Sequence, residues 1–300
     1  MTHWFYSFIF ILGLSFGSFI NVLSLRYELG QKLLGGKVIG GRSRCPNCQK
    51  KLAWYELIPV FSFILQGGRC RNCRHRLSWQ YPIVEILSGA IFTIVPWYLN
   101  NFQLPISNFQ IIAQLPNYQL LITVLWLLIF LSLLLLSLID FRLSIIPNQI
   151  NLFLAAMGLA VTGLQSYAGN FSLTSGSSLG YYAGLFGFRE NIWLNHLFAA
   201  ALASLFFWLI VFFSRSKAMG WGDVKLAFAL GLIFGWPDIL AILTLAFFAG
   251  ALVGIILIIR GRKNLKSLVP FGPFLAIGSA LTFFLGFQLI NGYFRLFGLL

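Results

Sequence analysis

Residues Gln119–Arg142 read QLLITVLWLLIFLSLLLLSLIDFR, about twenty mainly apolar residues closed by an aspartate and an arginine. A helix rises ~1.5 Å per residue, so a run of this length crosses a hydrocarbon core ~30 Å thick. Asp140 stands where the run meets its polar flank. A second aspartate occupies a similar border in Gly220-Trp221-Gly222-Asp223, ahead of Val224-Lys225-Leu226-Ala227. Acidic residues are scarce elsewhere: Asp238, Glu28, Glu56, Glu85 and Glu190 complete the set. An ionisable group inside a bilayer costs a few kcal/mol, which makes Asp140 and Asp223 candidates for function.

Composition extends the reading to the whole chain. Of 300 residues, 59% are hydrophobic and 9% charged, with mean hydropathy +0.85. Soluble domains carry about 25% charged residues, so a polytopic membrane protein is expected. Spans are predicted at 4–25, 82–99, 119–139, 149–166, 193–214, 223–236, 238–259 and 272–290. The sixth is short and ends against Gly235-Trp236-Pro237. The first lacks a basic leader and a small-residue cleavage site, so it reads as a retained helix.

Net charge of +14 would suit a nucleic-acid binder, but the basic residues cluster in loops between apolar spans. The loop 26–81 holds eleven Lys and Arg, and loop 100–118 holds none. With eight spans, all Lys and Arg except Arg189 and Arg295 fall on one side, which marks it as cytoplasmic. Both termini are then expected outside, and Asp140 and Asp223 at the cytoplasmic face. The Gly- and Ser-rich segment 167–192 reads as a flexible outer connection, and no internal repeat is evident.

All four cysteines lie in the basic loop, as Cys45-Pro46-Asn47-Cys48 and Cys70-Arg71-Asn72-Cys73. Two C-x2-C knuckles can present four thiolates to a tetrahedral ion, the spacing of a zinc ribbon. A disulfide or free thiols is the alternative, disfavoured in a reducing cytoplasm. Four thiolates leave no position for water, so the zinc is expected to be structural, with neighbouring arginines offsetting the thiolate charge and His75 outside the ligand set. Between the knuckles, Trp54–Leu65 is too apolar for a solvated loop and too short to span. It fits either the membrane interface or the core of a zinc module.

Each aspartate also has a plain structural reading. Asp140 could mark a helix end, and Asp223 could be an N-cap accepting amide hydrogens. Two carboxylates at one face suggest more, because like charges in proximity raise one pKa and lower the other, giving one acid and one base. The base would take a proton from water while the acid protonates a peptide carbonyl. The glycines flanking Trp221 leave room for close approach of a substrate strand or another helix. Among the rest, Lys225 is expected to snorkel and not to pair with Asp223, Asp238 to cap a helix, and Glu85 to meet a loop arginine. His196 reads as interfacial. Ser132 and Ser137 read as helix packing, with no base nearby in sequence.

An ordered set of motifs then resembles a known family. It comprises Gly17-Ser18-Phe19-Ile20-Asn21-Val22, Arg42-Ser43-Arg44-Cys45-Pro46-Asn47-Cys48, Glu56-Leu57-Ile58-Pro59, the second cysteine pair and Tyr81-Pro82-Ile83-Val84-Glu85. Ile139-Asp140, Ile146-Pro147-Asn148, Gly222-Asp223-Val224-Lys225-Leu226 and Pro270-Phe271-Gly272-Pro273 follow. The chain resembles the bacterial type IV prepilin peptidases, also called leader peptidase/N-methyltransferases, of the GxGD membrane aspartyl protease family.

That resemblance implies an all-α polytopic membrane protein of about eight transmembrane helices with a cytoplasmic four-cysteine, zinc-ribbon-like loop. It implies an N-terminal domain at 12–97 with the cysteine-rich loop 26–81, a peptidase domain at 119–236 and C-terminal helices at 237–300. Asp140 and Asp223 would be catalytic, cutting the leader from type IV prepilins or pseudopilins at the cytoplasmic face of the inner membrane. S-adenosylmethionine would methylate the new N-terminus, with no donor-binding residues assignable. Zinc would sit on Cys45, Cys48, Cys70 and Cys73; prepilins and membrane lipid would be the partners, with no nucleic acid. Asn148 departs from the pattern, an Asp often following that proline. Competing readings are a peptidase without methyl transfer, a carboxylate-lined transporter, and a non-catalytic scaffold of a secretion complex.

Overall fold

Eight long apolar runs become eight helices, because a chain in hydrocarbon must satisfy its own backbone hydrogen bonds. The computed structural model describes residues 2–33, 35–101, 118–167, 177–186, 191–217, 219–261, 269–296 and 298. Loop 102–117, residues 168–176 and 187–190, and the basic segment 262–268 lie outside the described residues, and with them most of the expected outer connections. The helices are α1 (Thr2–Arg26), the short α2 (Gly36–Ile39) and α3 (Phe61–Leu65), α4 (Gln80–Asn101), α5 (Tyr118–Leu143), α6 (Asn148–Tyr167), α7 (Ile192–Ser214), α8 (Trp221–Phe234), α9 (Asp238–Ile259) and α10 (Gly272–Leu296). Seven are long and apolar enough to cross a membrane; α8 is not among them.

The chain divides into two compact units, Met1–Trp97 and Tyr98–Leu300. In the first, α1 meets the start of α4 through small residues. A Cβ on Gly13 would lie 2.8 Å from the Gly89 Cα, and one on Gly17 would lie 2.6 Å from the Glu85 Cα. Such close approach is how helices associate where no hydrophobic effect drives them together. The loop after α1 folds into a cysteine module, taken up below.

In the second unit α8 lies against α6 and α7, with its second half from Ala229 to Phe234 fully buried. Its 14 residues give a length of about 21 Å, about two thirds of a hydrocarbon core ~30 Å thick. The expected sixth span is therefore a shortened helix that ends at the Gly235-Trp236-Pro237 turn. Its neighbours satisfy the carbonyls that such an early end leaves open. The Leu232 carbonyl accepts the Thr162 hydroxyl at 3.3 Å and lies 2.8 Å from His196 Nδ1. Asn195 accepts from the Trp236 N–H and donates to the Trp236 carbonyl, both at 2.9 Å. His196 is thus buried beside α8 and not interfacial as expected, because the broken helix needs a partner there.

Close packing makes this possible. A Cβ on Gly231 would fall 2.4 Å from the Ala200 Cα, so α7 and α8 touch backbone to backbone. Trp126 of α5, Phe234 of α8 and Phe283 of α10 join the three helices in one aromatic cluster, with Trp126 and Phe283 ring centroids 4.3 Å apart. Asp238 does more than cap a helix. Its carboxylate accepts the Ser177 hydroxyl and the Ser178 N–H, tying down the segment before the 3-10 turn Gly180–Phe186. Ser132 and Ser137 bond the carbonyls four residues back, each at 2.7 Å, as expected of packing residues.

Candidate active site and metal centre

Asp140 lies inside the last turn of α5, which runs on to Leu143 and does not stop at the aspartate. A carboxylate there opposes the helix dipole. The structure offsets this from elsewhere: Oδ2 of Asp140 accepts the Gly272 N–H, at the start of α10, at 2.9 Å. Helix-start amides are open donors, so the two ends complement each other. Gly272 is required for the approach, since a Cβ would stand 2.7 Å from Asp140 Oδ2 and 2.9 Å from Leu136 Cδ2.

Asp223 belongs to α8, which begins at Trp221, two residues earlier than the expected span. Its Oδ2 reaches back to the Gly220 N–H at 3.3 Å, the reciprocal half of a capping arrangement. Asp223 is therefore a first-turn acceptor and not the N-cap itself. Oδ1 is buried with no partner among the described residues. The two aspartates are both buried and near enough for the charge of Asp140 to act on Asp223. Each keeps one oxygen tied to a backbone amide.

Asn151, missed at the level of sequence, and Asn148, noted there only as a departure from the pattern, steady the Asp223 turn. Asn151, on α6, donates to the Gly222 carbonyl at 3.2 Å, and Asn148 accepts from Lys225 Nζ at 2.8 Å. Lys225 accordingly does not pair with Asp223. Gly222 packs on Ile146, where an added Cβ would come within 3.0 Å of the Ile146 Cβ. The three-residue spacing of Asn148 and Asn151, one turn of a helix, was the available signal.

The first unit holds a different constellation. Cys45, Cys48, Cys70 and Cys73 place their sulfurs within 4.8 Å of one another, a cluster that could hold a metal ion. Tetrahedral thiolates at ~2.3 Å from an ion stand about 3.8 Å apart, and the Cys45 and Cys73 sulfurs are 3.8 Å apart. All four cysteines are free thiols.

The knuckles are copies of one turn, which corrects the expectation of no internal repeat: Arg44–Lys51 and Arg69–Arg76 form matching bridges. Cys45 N–H donates to Lys50 O and Cys70 N–H to His75 O, while Gln49 N–H and Arg74 N–H return to the two cysteine carbonyls. Gln49 and Arg74 both take positive φ, 56° and 55°. Burial pushes the Cys45 thiol up to about 11, against the N–H groups of Cys48 and Asn47. The His75 N–H, with the Asn47 side chain, holds Cys73 down at about 6. The Asn72 side chain donates to Cys48 Sγ at 3.8 Å. Backbone N–H groups and the Asn47 and Asn72 side chains thus point at these sulfurs.

Among the described residues Glu85 meets no arginine. Its carboxylate accepts the Val60 N–H at 2.7 Å, holding a β-branched residue at φ 60°, a strained conformation for valine. Of the Trp54–Leu65 stretch only Phe63 is buried; Trp54, Phe61, Ile64 and Leu65 are exposed. The interface reading of that stretch accounts for its surface better than the core reading.

Helices of spanning length, two neighbouring buried carboxyl groups and a separate four-thiol module define a polytopic membrane protein of the kind the motifs suggest. Residues 11–99 match the Bacterial Peptidase A24 N-terminal domain, and residues 127–255 match the Type IV leader peptidase family. The chain is 30% identical over 308 residues to the prepilin leader peptidase/N-methyltransferase of Burkholderia pseudomallei (strain K96243), covering 95% of this chain and 88% of the relative. With the protein of that name from Bacillus subtilis (strain 168) it shares 28% over 295 residues, 97% of this chain and 98% of the relative. With that from Klebsiella pneumoniae it shares 31% over 241 residues, 80% and 90% of the two chains. No solved structure matches the chain. The chain belongs to the type IV leader peptidase family.

Proposed function

We propose that this protein cleaves the leader from type IV prepilins or pseudopilins with Asp140 and Asp223, and then methylates the new N-terminal amine. The observation that carries the reading is the placement of two buried carboxyl groups at neighbouring helix ends, each with one oxygen fixed by a backbone N–H. Fixing one oxygen of each leaves the other for chemistry. One proton shared between them gives a base and an acid. The base takes a proton from water, whose oxygen bonds to the peptide carbonyl carbon, and the acid gives its proton to the carbonyl oxygen. Collapse of that adduct breaks the C–N bond, and the amine leaves with a proton returned by the dyad.

The division of labour follows the expected domains: 119–236 with the aspartates, 237–300 supplying Gly272, and 12–97 carrying the thiol module. Zinc on Cys45, Cys48, Cys70 and Cys73 would be structural, since four thiolates fill its coordination. When bound, S-adenosylmethionine supplies a methyl group for the amine nitrogen. A cavity of about 240 Å³ in the first unit, with Glu56, Glu85, Tyr81 and Arg26 on its walls, suits that donor. The carboxylates would face the sulfonium cation and Arg26 the amino-acid carboxylate. Location in a bacterial inner membrane with the catalytic face toward the cytoplasm is supported by the one-sided charge. Arg142, Arg215, Lys217 and Lys225 flank the two aspartates in sequence.

The test is processing of a prepilin by purified protein. Asp140→Asn and Asp223→Asn should each lower kcat at least ~10³-fold without loss of membrane-inserted protein. Cleavage retained in both would remove the aspartyl assignment. Absence of labelled methyl on the processed pilin would leave a peptidase alone.

A further inference from the structure

We infer that the second cysteine knuckle carries a binding site for one anionic phospholipid, its phosphate held by Arg69 and Arg76 and its acyl chain laid along the start of α4. Arg69 and Arg76 form an isolated antiparallel bridge. The flanking bonds, Cys70 N–H to His75 O and Leu77 N–H to Gly68 O, place the pair in the register where opposite side chains stand closest. Like charges directly opposite each other are unfavourable unless an anion neutralises them. Both arginines are exposed, and neither has an acidic partner among the described residues.

The arginines rim an open groove of about 640 Å³ whose other walls include Phe63, Ile64, Trp79 and Ile86. Phe63 and Trp79 pack ring to ring at 5.1 Å. Ile86 lies on α4, a helix of spanning length and composition, and with Ile83 and Leu87 it exposes an apolar face on that helix. The groove is thus continuous with a surface that lipid must cover. Trp54 and Trp79, 78% and 71% exposed, are of the residue type that settles at headgroup depth. A free phosphate would find two guanidiniums on one side and hydrocarbon on the other. A phospholipid satisfies both, and arginine forks suit a phosphodiester. The first knuckle supplies a control: its Arg44 and Lys51 form the same bridge, but neither lines this groove.

The full-length protein, stripped of lipid in detergent, is tested by native mass spectrometry with phosphatidylglycerol or phosphatidylcholine of the same chains. Wild type and Arg44→Gln/Lys51→Gln are expected to retain one phosphatidylglycerol, and Arg69→Gln/Arg76→Gln to lose it by about tenfold or more. Ile64→Asp, at an exposed position on the groove wall, should cause the same loss by repelling the phosphate with both arginines in place. Equal retention of phosphatidylcholine, retention by either groove variant, or equal loss in the first-knuckle control overturns the site. Displacement by millimolar inorganic phosphate, or by a prepilin leader peptide, would assign the groove to a different ligand and overturn it as well.

Discussion

Asp140 and Gly272 are 132 residues apart in sequence, yet the Gly272 N–H points at Asp140 Oδ2 from 2.9 Å. The contact joins the carboxyl end of one helix to the amide end of another. Among the described residues it holds a candidate catalytic carboxylate through a backbone donor alone, at Oδ2.

Gly272→Ala tests that contact directly. The added methyl would meet Asp140 Oδ2 at 2.7 Å, and displacement of a reacting group by about 1 Å can cost ~10²-fold in rate. A fall in kcat of ten- to a hundredfold is expected by that principle, measured on a prepilin substrate. Gly250→Ala, whose nearest neighbour would be Phe274 at 3.4 Å, should leave activity near wild type.

Asn151→Ala removes the donor to the Gly222 carbonyl. Loss of a buried hydrogen bond should destabilise by about 1–2 kcal/mol, read as a lower thermal midpoint in detergent. Because Gly222 sits beside Asp223, kcat should fall more than KM changes. A substitution that lowers the thermal midpoint alone would make Asn151 purely structural.

Gly231→Val should prevent α7 and α8 from closing. The Ala200 backbone cannot move aside from a contact at 2.4 Å, so a cost of several kcal/mol is expected, at or above the overpacking range of ~1–3 kcal/mol. The readout is recovery of monodisperse protein and its thermal midpoint. Gly254→Val, with nothing within 4 Å, is the matched control in another helix.

Removal of metal should act locally. Purified protein is expected to carry one zinc per chain, lost on chelation or in Cys45→Ser, since four-thiolate zinc sites contribute folding energy outright. Proteolysis should then open the segment between the knuckles while far-UV circular dichroism, dominated by the spanning helices, changes little. Sensitivity spread along the whole chain would show that the module supports more than itself.

Much of this architecture is written in local sequence. Eight apolar runs each became a helix, because their backbone has no other way to bond in hydrocarbon, and seven of them match its thickness in length. C-x2-C twice in one loop sufficed to expect a thiol cluster, since each knuckle closes within eight residues. The aspartates were visible as rare charges at the ends of apolar runs. The role of α8 was not, because a short helix becomes tenable only when His196 and Thr162 from other helices meet its Leu232 carbonyl and Asn195 holds Trp236 just past its end. The partners of Asp140, Asp223 and Glu85 were equally hidden: Gly272, Gly220 and Val60 donate through backbone amides, which every non-proline residue possesses and no residue type announces. Run length and spacing are properties of a single segment, so the amino-acid order settles them alone; which amide faces which carboxylate depends on how glycine-mediated contacts set one helix against the next, and that only the assembled tertiary structure decides.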